Sequence, residues 1–169
     1  KIFQMKKGDK MKKYVLMLEL EDTNIWRRIE FTSGIGFYDL HTIIQIIFGW
    51  EDYHLHEFTV GNMAIGMLSD DEDIEDMPEN FRFEDDVSLD LILLNYKEFK
   101  YEYDFGDGWE IKITVEEITD TQTGENPTVI DFGGDMAKED CGGAYELMRK
   151  RRRNTRVEEL NLILEETFD

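Results

Sequence analysis

The first arrangement that could carry chemistry is His54-Leu55-His56. On one strand, histidines at i and i+2 project from the same face, a spacing that metal sites use. That face also carries Phe58 and Val60, so both imidazoles equally fit as hydrogen-bonded groups at the edge of a core. The second arrangement is Asp104-Phe-Gly-Asp107-Gly-Trp109-Glu110. Carboxylates crowded at a tight turn either hold a cation or accept backbone N–H groups and brace the turn. His54, His56, Asp104 and Asp107 together would make a metal-assisted hydrolase or nuclease. Asp104-Phe-Gly is not read as the kinase magnesium motif, because neither a glycine-rich loop nor a catalytic-loop pattern accompanies it. The third is Glu139-Asp140-Cys141-Gly142-Gly143, with a lone cysteine before a helix start. A helix N-terminus stabilises a thiolate, yet no Cys–His pairing is legible, and inert packing is the expectation for Cys141.

The whole chain constrains these options. In 169 residues, 39 acidic side chains stand against 19 basic ones, a net charge of −20. That potential disfavours binding of nucleic acid or anionic lipid by the surface at large. The exception is Arg149, Lys150, Arg151, Arg152, Arg153 and Arg156. These could touch phosphate, or complement their own helix dipole and the acidic loops. One cysteine excludes a disulfide framework and suits a cytoplasmic setting. No apolar run approaches the roughly 18 residues of a membrane span. Length and composition predict one domain over residues 1–169, with 1–13 frayed. Residues 69–86 form an acidic loop without the spacing of an EF-hand, and offer a surface for a protein partner.

The elements that would position these residues follow from periodicity. Residues 14–20 read as a buried strand with no polar face. Residues 25–31 read as its antiparallel partner, with Ile25, Arg27, Ile29 and Phe31 on one side. Phe37, Leu40, His41, Ile44, Ile47 and Phe48 make one helical stripe, which Gly49 would end in a left-handed cap. His41 in that stripe reads as a hydrogen-bonded residue at the core's edge. Residues 54–68 form a hairpin about Gly61-Asn62, pairing Val60 with Met63, Phe58 with Ile65 and His56 with Met67. Residues 87–94 fit either a capped helix or a strand. In the hairpin of 100–117, a three-residue loop, Gly106-Asp107-Gly108, pairs Phe105 with Trp109 and keeps the apolar faces together. This register places Asp104 opposite Glu110. A helix over 144–152 should partly bury Tyr145, Leu147 and Met148. Thr155 with Glu158 would cap a last helix. The expected fold class is α+β, a mainly antiparallel sheet built from hairpins with helices packed on it.

The segments Ile25-Trp-Arg-Arg-Ile29, Asp39-Leu-His41, Phe48-Gly-Trp50, His54-Leu-His56-Glu-Phe58, Tyr101-Glu-Tyr-Asp-Phe-Gly-Asp-Gly-Trp109 and Glu139-Asp-Cys-Gly-Gly143 together resemble the Ri-plasmid open-reading-frame-three-like family. The resemblance spans nearly the whole chain. It departs at Asn24 and at Ala137-Lys138, where that family carries proline. It implies an association with plasmids and mobile elements, some relatives being labelled transposon resolvases. No serine- or tyrosine-recombinase constellation is legible here. The resemblance further implies a shared surface of His54, His56, Asp104, Asp107, Trp109, Asp140 and Gly142. Without a convincing nucleophile–base pair, the expectation is an accessory or interaction domain acting on a protein partner. It predicts no cofactor, with a divalent metal as the alternative.

Overall fold

The computed structural model describes residues 10–68, 77–149 and 157–168. Strand β1 (Met11–Leu20) pairs antiparallel with β2 (Trp26–Thr32), Tyr14 opposite Phe31 and Leu16 opposite Ile29. Tyr14, Leu16, Leu18 and Leu20 are buried, whereas Val15 and Met17 are only half-buried on the other face. The strand is therefore one-faced, despite its apolar run. It also starts earlier than expected. Lys12 pairs with Asp120, and Lys13 with Glu30 and Glu125, so these lysines are sheet residues held by cross-strand charges rather than a frayed lead-in.

β3 (His56–Val60) and β4 (Met63–Gly66) turn at Gly61, whose φ of 60° suits a type II′ hairpin. Val60 faces Met63 and Phe58 faces Ile65, as the pattern predicts. The ladder stops at Glu57–Gly66, so Met67 does not face His56, which pairs with Tyr103 instead. β5 (Phe81–Phe83) adds to β4 in parallel and leads into a single 3-10 turn, Glu84–Asp86. The end of the acidic stretch is thus part of the fold, and Glu84 is buried. Residues 69–76 lie outside the described residues. The ambiguous segment is helical: α1 (Phe37–Phe48) is followed in the chain by α2 (Leu89–Asn95), whose Ser88 hydroxyl accepts the Leu91 N–H at 3.4 Å.

β6 (Glu98–Tyr103) and β7 (Trp109–Thr121) pair Tyr103 with Trp109, Tyr101 with Ile111 and Phe99 with Ile113. The expected register is two residues off, and the loop spans 104–108. Asp104 decides this. It takes a left-handed φ of 52°, and its Oδ1 accepts the N–H groups of Gly106 (3.0 Å) and Asp107 (3.3 Å). Its carbonyl accepts Gly108 N–H at 2.6 Å. Phe105 is left exposed, and Glu102 rather than Asp104 stands opposite Glu110.

β8 (Thr128–Gly133) forms the edge beside β2. The eight strands run β5-β4-β3-β6-β7-β1-β2-β8, antiparallel except for the β4–β5 pair. α3 (Gly143–Arg149) and α4 (Val157–Phe168) follow. The Asn161 amide of α4 pairs with both N–H and C=O of Val129, at 2.8 and 3.2 Å, and so occupies bonds an adjoining strand would use. One sheet face carries ion pairs such as Arg28–Glu116 and Lys100–Glu110. The other meets α1, where Phe37 packs edge-on against Phe58 at 4.9 Å. Gly49 ends α1 at φ 82°, as expected. In α3, Leu147 is buried, but Tyr145 and Met148 are exposed, which corrects the expected partial burial. Thr155 lies outside the described residues. None of the described helices is long and apolar enough to cross a membrane.

Arg27 is the largest charged group in the core and is fully buried. Its guanidinium donates to the carbonyls of Ile47 (2.9 Å), Trp26 (2.9 Å), Gly133 (2.9 Å) and Asp135 (3.0 Å). It therefore joins the end of α1 to the segment after β8. Burial lowers its pKa to about 10, so it stays charged at neutral pH.

Candidate functional site

Three segments meet at one end of β3 and β6. Residue 54 lies just before β3, residues 104–108 join β6 to β7, and residues 134–142 lead into α3. The Asp104 N–H donates to the Leu55 carbonyl at 3.1 Å, fastening the first two together. Asp107 Oδ2 accepts the Gly142 N–H at 3.0 Å, fastening the third. A Cβ on Gly143, at φ 75°, would stand 2.5 Å from the Asp107 carbonyl oxygen. Only glycine allows this approach of the two backbones.

At this junction His54 Nε2 lies 3.2 Å from Asp140 Oδ1, 3.6 Å from Asp104 Oδ2 and 4.0 Å from Glu139 Oε1. His54, Asp104 and Asp140 each offer one ligand atom, all within 4.8 Å of one another. Asp104 braces its turn with one oxygen and leaves the other facing the junction. Its Oδ1 holds the turn while its Oδ2 faces His54. Asp104 and Asp140 both adopt φ 52°, a left-handed conformation that aspartate tolerates better than most residues and that recurs at functional sites. Asp104 is buried, His54 half-buried and Asp140 exposed, so the group opens toward solvent on one side. One imidazole nitrogen with two carboxylate oxygens is a donor set suited to zinc, manganese, iron(II) or cobalt(II).

Residues 12–169 match the family described as plasmid pRiA4b ORF-3-like protein. The chain belongs to that family. The chain of this family member is 34% identical over 123 residues to "Uncharacterized protein y4hQ" of Sinorhizobium fredii (strain NBRC 101917 / NGR234), covering 72% of this chain. The match spans 61% of that relative's length. The fold is similar to a crystal structure of a protein of unknown function, MM3350, from Methanosarcina mazei Go1. The TM-score is 0.70 at 34% identity, over 85% of this chain and 81% of that one.

Of the seven residues that the resemblance to this family implies as a shared surface, five gather here: His54, Asp104, Asp107, Asp140 and Gly142. Two do not. Trp109 is fully buried, and His56 turns into the protein because it lies in the β3 ladder while His54 precedes it. His56 Nε2 bonds Glu84 Oε1 at 2.6 Å. Cys141 is buried, its sulfur 3.7 Å from the Gly143 carbonyl oxygen, as inert packing predicts.

The His56 ring stacks on His41 at 3.6 Å with 9° between planes. His41 belongs to a ring of hydrogen bonds that this family member's sequence does not announce. The Asp52 N–H donates to Gln45 Oε1 at 3.0 Å, which leaves Gln45 Nε2 to donate to the Tyr101 hydroxyl at 2.9 Å. The Tyr101 proton is then directed at His41 Nδ1 (2.8 Å), and His41 Nε2–H at Asp52 Oδ1 (2.8 Å). This assigns a neutral His41 with its proton on Nε2.

That assignment has a pH consequence. Burial, aided by the His56 charge across the stack, lowers the His41 pKa from 6.5 to about 4 against the opposing pull of Asp52. The unfolded chain therefore binds the proton first. Stability from this group is complete above pH 6.5 and declines as pH falls toward 4, by up to about 1.4 kcal/mol per unit. Urea titrations at several pH values should show that slope in wild type and a shallower one in His41→Gln. Parallel slopes would contradict it.

Proposed function

We propose that this chain binds one divalent cation through His54, Asp104 and Asp140, and that metal-assisted hydrolysis is the reaction class of the site. The observation that supports this is the convergence of three ligand atoms within 4.8 Å from three separate segments. Such an ion, when bound, supplies Lewis acidity to a substrate oxygen and acidifies water. The chain contributes the rest. Asp104 offers Oδ2 while its other oxygen keeps the turn rigid, and exposed Asp140 leaves one side open to a substrate. His56 and Asp107 are not part of the set: His56 is turned to Glu84, and Asp107 does not join the three residues whose ligand atoms converge. Asp140 takes their place.

The reading of a protein-binding accessory domain rests on the acidic residues 70–76, which lie outside the described residues. The nucleic-acid reading rests on the basic run, of which only Arg149 is described, paired with Glu146. Neither gains support from geometry. The metal reading is tested on chelator-stripped protein titrated with cobalt(II), zinc(II) and manganese(II). Expected is saturable binding of one ion with a raised Tm. Asp104→Asn should keep the turn, since its amide oxygen can still accept both N–H groups, yet lose the ion; Asp140→Ala should lose it too. Wild type that binds no ion, or undiminished binding by both variants, overturns the proposal.

A further inference from the structure

The three candidate ligands share one local arrangement. Tyr53 precedes His54, Tyr103 precedes Asp104, and Glu139 precedes Asp140. Those three preceding residues form a single hydrogen-bonded cluster. The Tyr53 N–H donates to the Tyr103 phenolic oxygen at 3.0 Å, and the Tyr103 hydroxyl donates to Glu139 Oε1. The second Glu139 oxygen accepts the Glu51 N–H at 2.7 Å. The Tyr103 ring is itself fully buried and stacks on Trp50 at 5.0 Å.

We propose that Tyr103 is a positioning residue of the cation site, its phenolic oxygen linking the residues that precede His54 and Asp140 to the one that precedes Asp104. The inference rests on the metal reading above. Together with the Asp104–Leu55 and Gly142–Asp107 bonds, this tie orders three segments far apart in sequence before an ion arrives, which spares a cost in affinity. The geometry also separates two neighbouring carboxylates. Tyr103 and the Glu51 N–H occupy Glu139, holding its Oε1 4.0 Å from His54 Nε2, while Asp140 Oδ1 reaches 3.2 Å. Tyr103 is the side-chain donor of that pair, so losing its hydroxyl frees the Glu139 oxygen nearer His54 to compete with Asp140.

The test measures cobalt(II) affinity by calorimetry and, separately, the Tm of ion-free protein. Tyr103→Phe keeps the stacked ring and removes only the hydroxyl. It should weaken cobalt(II) binding by about 10–100-fold, as loss of a group that orients metal ligands does. Glu139→Gln should weaken it as well, and the double variant should lose less than the product of the two, because the residues act as one unit. Tyr103→Phe that binds cobalt(II) as tightly as wild type, whatever its Tm, overturns the positioning role and leaves the metal site standing. If Tyr103→Phe does not fold, Glu139→Gln decides by the same criterion. Failure of wild type to bind cobalt(II) overturns the metal reading, and this inference with it.

Discussion

Replacing Arg27 with alanine is expected to destabilise the fold by about 4–5 kcal/mol. The substitution removes donors from four carbonyls at once, those of Trp26, Ile47, Gly133 and Asp135. A buried acceptor left unsatisfied costs about 1–3 kcal/mol, and bonds to a charged donor are the stronger ones. The vacated volume between Phe48 and Phe132, whose ring centroids lie 5.4 and 5.9 Å from the guanidinium carbon, adds a cavity cost. Against this stands relief from burying a cation, which its lowered pKa reports. The relief is the smaller effect, because four of the five guanidinium N–H groups are bonded to carbonyls and the group remains ionised. Arg27→Met, which fills volume but donates nothing, separates the two costs and should fall between wild type and alanine. Urea unfolding measures both. A loss under about 1 kcal/mol in alanine would mean that water enters and satisfies the carbonyls. Since small domains hold only about 5–15 kcal/mol in total, the alanine variant should sit near the limit of folding.

Trp109→Ala should cost about 3–5 kcal/mol, the usual range for truncating a large buried aromatic. Trp109 is fully buried opposite Tyr103, with its ring 5.6 Å from Trp50, which in turn stacks on Phe48 and Tyr103. The cavity would open beneath the 104–108 turn and beside the residue that ties the candidate ligands. Its Nε1 has no protein hydrogen-bond partner among the described residues. Trp109→Phe therefore sacrifices packing without orphaning an acceptor, and should cost well under half as much. Thermal and urea unfolding of both variants check the ratio. Equal losses in the two would show that the indole nitrogen contributes after all.

What the sequence by itself determined is the local grammar. The α1 stripe and its Gly49 cap, the Gly61 turn with its Val60–Met63 and Phe58–Ile65 pairings, and the antiparallel pairing of β1 with β2 are all legible because residues near in sequence set them. A period of two or of 3.6 reports which side of an element faces the core, and a glycine at an element's end reports where a left-handed turn can close it. The same grammar is blind to a shift of two residues, which returns every side chain to its own face. That is why the β6–β7 hairpin could be read with Phe105 opposite Trp109, and why only Asp104's left-handed turn excludes it. The candidate site was half-legible for a related reason. His54, Asp104 and Asp140 could be picked by residue type, but alternation placed His54 beside His56 on one face. Only the tertiary structure, by starting β3 at His56, turned one histidine toward Glu84 and left the other at the junction. Glu139 and Tyr103 carry no sequence signal of their own, because their partners lie 36 residues apart along the chain and meet only when the sheet and the segment before α3 are both in place.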